Sequence, residues 1–130
     1  LGLVKSQHMR PLDSKIFSLA LEAWKNSESP QAARRAQKLL DQMTELTTEG
    51  VLRDYPSLDD YHAVLECWMA SDPTKFHAAE SALQVIQQVI QNHTPTIYTF
   101  SCVLKILANE GHAASAKDFL ETTVPKPHTV

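Results

Sequence analysis

The chain has 130 residues, 43% of them apolar, and a formal net charge of −3. That is enough apolar material for one cored domain, and the acid excess excludes a protein drawn to phosphate by its total charge. Three glycines are too few for a many-turned β fold, and two cysteines are too few for a disulfide framework and fit a reducing compartment.

No apolar run approaches the roughly 18 residues of a membrane-spanning helix, so none is expected. Leu1 to Met9 reads as the tail of a preceding helix, broken by Pro11. This stretch has neither an initiator Met nor the apolar segment of a signal peptide, so a slice of a longer protein is expected. Asp13 or Ser14 can cap the next helix, predicted over 14–26. Ser29-Pro30 is a cap with proline at the first helical position and opens a second helix over 30–47. Gly50 stands where a left-handed C-terminal residue is wanted.

Pro56-Ser57 begins the pattern again. Ser57 caps a helix over 58–70, and Asp60 lies where a negative charge favours the helix N-terminus. Asp72-Pro73 repeats the cap-and-proline device, with a long helix over 73–91. Thr94-Pro95-Thr96 is a third restart, with a helix over 97–109. Asn109-Glu110-Gly111 is a tight turn before a last helix over 112–122, which Pro125 and Pro127 stop. Pro127-His128-Thr129-Val130 matches the start of a further unit.

These restarts are copies of one unit. Tyr61, Val64, Leu65 and Trp68 fall at i, i+3, i+4 and i+7, which places them on one helix face. Phe17, Ala20, Leu21 and Trp24 repeat that spacing upstream, and Phe100, Val103, Leu104 and Leu107 repeat it downstream. After each comes Ala-x-x-Ala-x-x-apolar-apolar, led by Ala33 and Ala36, by Ala79 and Ala82, and by Ala113 and Ala116. The fold expected is all-α, a right-handed helical-repeat solenoid of about three stacked antiparallel hairpins, with units near 13–56, 57–95 and 96–127 and a further one beginning at 128. The expected hairpins pair 14–26 with 30–47, 58–70 with 73–91, and 97–109 with 112–122.

The units resemble pentatricopeptide repeats. Thr99-Phe100-Ser101-Cys102-Val103-Leu104 is similar to that family's first helix, Asn109-Glu110-Gly111 to its turn and Ala116 to the alanine of its second helix. Asp60-Tyr61-His62-Ala63-Val64-Leu65 matches in the middle unit, and the stretch from Ala36 to Met43 reads like a second helix ending in acidic-x-Met. The resemblance covers about 13–128. The steps from Phe17 to Tyr61 and from Tyr61 to Phe100 exceed the family's usual unit. They are nearer HEAT or armadillo units of about 40–47 residues, which do not restart with Pro and an aromatic five residues later. The Trp-x-x-Leu-Gly-x-x-Tyr of tetratricopeptide repeats is absent.

The resemblance implies a non-catalytic module that binds single-stranded RNA along its first helices, about one base per repeat. It also implies a mitochondrial or plastid setting, in RNA processing, stability or translation. One reader follows the helix-starting aromatic: Ser18, His62 and Ser101. The other follows the inter-repeat proline: Ser57, Thr96 and His128. The implied pairs are Ser18 with Ser57, His62 with Thr96, and Ser101 with His128. No Asp or Asn, the family's usual choice, stands in the second place, so no base sequence can be read. Plain helix capping is the other reading of Ser57 and Thr96.

Charge counts against strong RNA binding. Lys15 and Lys105 share the expected face with Glu22, Asp59 and Glu66. His62 adds a cation only in mild acid, at the ordinary histidine pKa of about 6.5. Arg34, Arg35 and Lys38 lie on a second helix, where solvation and i, i+4 pairing are the expected roles. A protein–protein scaffold on the same hairpins is therefore the alternative, with neighbouring repeats of a longer chain as further partners.

No catalytic residue, metal site or cofactor is expected. Asp59, His62 and Glu66 share a face at i, i+3 and i+7, but no second ligand pair accompanies them, so an exposed face is the reading. Cys67 and Cys102 read as core residues, and Trp24 and Trp68 as core rather than base-stacking platforms. Gly2, Gly50 and Gly111 are isolated and form no phosphate-cradling loop.

Overall fold

The computed structural model describes residues 11–72 and 77–123. Within them the chain is all-α, with helices α1 (Lys15–Asn26), α2 (Ala32–Thr48), α3 (Leu58–Met69), α4 (Ala78–Asn92), α5 (Ile97–Asn109) and α6 (Ala113–Thr122). Neighbouring helices pack on one another, α1 on α2, α4 on α5 and α5 on α6, as in a helical-repeat fold. Two compact units divide between Val64 and Leu65, inside α3.

The helices lie within two residues of their predicted spans, with one exception. The helix predicted from 73 begins instead at Ala78, after His77. Pro73 and the turn expected to close the second hairpin lie outside the described residues, as do the stretch Leu1 to Met9, Pro125, Pro127 and the restart at Pro127 to Val130.

In the first unit the start of α1 is held by Asp13. Its carboxylate accepts the backbone N–H of Lys15 at 2.8 Å, whereas Ser14 makes no side-chain cap. Ser29 Oγ accepts the N–H of Gln31 at 3.1 Å, so the Ser29-Pro30 device shapes the turn and α2 proper follows it. Gly50 ends α2 at φ +83°, a left-handed conformation that costs glycine little. The N–H groups of Gly50 and Val51 turn back to the carbonyls of Thr47 and Leu46 and satisfy the helix end.

A feature with no sequence signal closes this hairpin. Leu12 N–H donates to the Val51 carbonyl at 2.8 Å and Arg53 N–H to the Leu12 carbonyl at 2.9 Å, an isolated parallel bridge between Leu12 and Leu52. The entry to α1 is thereby tied to the exit of α2. Leu21, Ala36, Leu40, Met43, Tyr61 and Val64 are buried in this unit. Full burial of side chains such as Leu40 contributes about 1.5–3 kcal/mol each.

In the second unit Leu65, Trp68, Val85, Ile86, Val103 and Ile106 are buried. Ala79 and Ala82 are buried with them on α4, the helix against which α5 packs. Phe100 of α5 meets Phe119 of α6 with ring centroids 6.0 Å apart and planes tilted by 56°, a favourable edge-biased geometry. Gly111, at φ +72°, makes the turn between these two helices.

The aromatic-led stripes of α3 and α5 are buried, apart from half-buried Leu104. The α1 stripe is less covered: Leu21 is buried, but Phe17, Ala20 and Trp24 are half-buried.

Candidate binding face of the first helices

The restarts of α3 and α5 are built by the same reciprocal cap. Ser57 Oγ accepts the N–H of Asp60 at 3.2 Å, and Asp60 Oδ2 accepts the N–H of Ser57 at 2.9 Å. Thr96 Oγ1 accepts the N–H of Thr99 at 3.4 Å, and Thr99 Oγ1 accepts the N–H of Thr96 at 3.0 Å. Each exchange satisfies two backbone donors of a helix start. Asp60 and Thr99 are buried by it, while Ser57 and Thr96 remain exposed. Both candidate readers in the second place therefore already accept a helix N–H through their hydroxyl oxygen.

The candidates that follow the aromatics stand one on each first helix. Ser18 on α1 and His62 on α3 are half-buried, and Ser101 on α5 is exposed. Ser101 Oγ donates to the Ile97 carbonyl at 2.8 Å, a bond within its own helix. His128 lies outside the described residues. Thr96 and Ser101 are brought together on α5, and Ser57 and His62 at the start of α3.

The charges of the face divide between the units. In the first, Lys15, Glu22 and Asp59 are exposed; in the second, Lys105 is exposed and Glu66 is half-buried.

Sequence reasoning missed Tyr98. Its ring is half open to solvent, and its hydroxyl hydrogen-bonds to the Cys102 thiol and the Glu66 carboxylate. Partial desolvation, then the neighbouring thiol and carboxylate, push its pKa up to about 12. Burial pushes the Cys102 thiol up, against a smaller opposing effect of the Tyr98 hydrogen bond. Cys102 is thus a protonated, buried thiol and a poor nucleophile. Tyr98 and Cys102 lie four apart on α5, a spacing that could have signalled their contact; the partnership with Glu66 crosses from α3 and has no local signal.

Among the described residues no group of three His, Cys, Asp or Glu side chains is placed to hold a metal ion, Asp59, His62 and Glu66 included. No described helix is long and apolar enough to cross a membrane. A groove of about 690 Å³ lies between α4 and α6, lined by Leu83, Gln84, Ser115 and Phe119 among others and by none of the candidate residues. Comparison with protein-family models, curated proteins and solved structures gives no significant match.

Proposed function

We propose that this chain is a non-catalytic helical-repeat module that binds single-stranded RNA along its first helices, as the pentatricopeptide repeats it resembles do. One observation of register supports this. Directly after the leading aromatic of α1, α3 and α5 stands a polar residue within reach of water: Ser18, His62 and Ser101. A strand running past these positions would meet one hydrogen-bonding side chain per unit, with Lys15 and Lys105 as phosphate contacts. The same resemblance suggests an organellar role in transcript processing, stability or translation.

A protein-binding scaffold is the second reading, and two observations favour it. Ser57, Thr96 and Ser101 already use their hydroxyls within their helices. Glu22 and Asp59 are exposed on a face that offers few cations to phosphate.

Titration of a labelled, unstructured RNA at low salt separates the two. RNA binding predicts weak affinity that falls with salt, with a logarithmic slope of about 0.7 per phosphate neutralised on a single strand. Lys15→Ala and Lys105→Ala should each lower that slope, and Ser101→Ala should weaken binding without changing it. A silent titration at low salt would overturn the RNA reading and leave the scaffold.

A further inference from the structure

The three copies of the repeat allow each position to be compared with its equivalents. With Phe17, Tyr61 and Phe100 aligned, Ile16 of α1 corresponds to Asp60 and Thr99, and Leu19 to Ala63 and Cys102. All four equivalents on α3 and α5 are buried. Ile16 and Leu19 are 71% and 55% exposed. They lie at i and i+3 and form one apolar stripe on the outer side of α1.

The opposite end shows the converse pattern. Aligned on their alanines, Ala113, Ala116 and Leu120 of α6 correspond to Ala79, Ala82 and Ile86 of α4 and to Ala33, Ala36 and Leu40 of α2. The equivalents on α2 and α4 are buried. On α6, Leu120 is 48% exposed, Ala113 is exposed and Ala116 is half-buried.

The partner suited to each face is visible within the chain. A first helix, α5, packs on the preceding second helix, α4, and the equivalent positions on both are buried there. The α6 face repeats the α4 register, with small residues that let a helix approach closely. The α1 face repeats the α5 register, with larger apolar side chains to fill that approach. One chain therefore carries both halves of the packing it already makes once.

We propose that the Ile16–Leu19 face of one copy docks on the Ala113–Leu120 face of a second, remaking between chains the α4–α5 packing found within one. The contact is heterologous, so each added copy leaves one open face of each kind and assembly is head-to-tail. It is independent of whether the module binds RNA.

Sedimentation of the full chain tests this. The weight-average mass should rise from 14.5 kDa through its multiples as concentration increases. Ile16→Asp and Leu120→Asp change exposed residues, and circular dichroism should show both folded. Each variant alone should stay at the single-chain mass, because each lacks one half of the contact. Their equimolar mixture should reach twice that mass and stop, because only one productive pairing remains. A wild-type chain that keeps its single mass at every concentration overturns the proposal, as does self-association by Ile16→Asp alone. A mixture that stays monomeric overturns it too.

Discussion

The Glu110 carboxylate accepts a hydrogen bond from the backbone N–H of Ala79 across 2.6 Å, although the two residues lie 31 apart in the chain. Ala79 is in the first turn of α4, where backbone donors lack helical partners. Glu110 sits in the turn after α5, its side chain only 8% exposed, with the His112 imidazole 3.6 Å from its other oxygen. One carboxylate thus clasps the end of α5 to the start of α4 with a charge-assisted bond at the positive end of a helix dipole. Glu110→Ala should lower the unfolding free energy by about 1–3 kcal/mol, the cost of leaving such a donor unmatched. Glu110→Gln keeps an acceptor oxygen and should cost less. Denaturant unfolding gives both values, and equal losses for the two variants would refute a clasp that depends on charge.

The caps offer a separate test, because Ser57 and Thr96 are both cap residues and candidate base readers. Ser57→Ala and Thr96→Ala should each cost about 0.5–2 kcal/mol, as cap removal does. Ser57→Asn should be nearly neutral, since asparagine caps as well as serine. If Ser57 is only a cap, RNA titrations of Ser57→Asn and of the unaltered chain will superimpose. A change in RNA affinity at unchanged stability would identify it as a reader.

Helices and caps were legible in the sequence because their signals are local. Ser57-Leu58-Asp59-Asp60 and Thr96-Ile97-Tyr98-Thr99 each carry a whole cap within four residues, and Gly50 and Gly111 mark helix ends by a conformation that few other residues tolerate. The start of α4 was misplaced because Asp72-Pro73 carries the local marks of a helix start, while the first helical turn follows His77. The Leu12–Leu52 bridge, the Glu110–Ala79 clasp and the Tyr98–Glu66 contact join residues that are distant in sequence. None has a spacing that one sequence reveals. The weaker burial of the α1 stripe was equally hidden, because Phe17 and Tyr61 occupy the same place in the pattern and differ only in what surrounds them.

Tyr98 makes a prediction at alkaline pH. Its folded-state pKa of about 12 lies above the ordinary value of 10.0, so folding favours the neutral phenol. That contribution is complete below about pH 10 and is lost as the pH rises through about 12. Absorbance of the phenolate should show a late ionisation step that Tyr98→Phe removes. The variant should also lose less stability than the parent across that window. Identical alkaline stability profiles would show that the hydroxyl's partners contribute nothing to folding.

Trp24 and Trp68 occupy the same place in two copies of the repeat, at the end of the aromatic-led stripe, yet only Trp68 is buried. Sequence pattern alone assigns them equal importance. Burial does not, because truncating a side chain costs the apolar contact it has made plus the cavity it leaves. Trp68→Ala should therefore cost about 3–5 kcal/mol, the range for buried aromatic truncations. Trp24→Ala removes a side chain already partly in water and should cost less than half as much. The same logic orders local stability within the second unit: α4 buries Ala78, Ala79, Ala82, Val85, Ile86 and Val89, whereas α6 buries Phe119. Hydrogen exchange should show the amides of α4 more protected than those of α6, because fewer apolar contacts must break to open α6. Equal costs for the two tryptophan variants, with equal protection of α4 and α6, would mean that stability is shared evenly along the repeats and that the open ends are held as firmly as the middle.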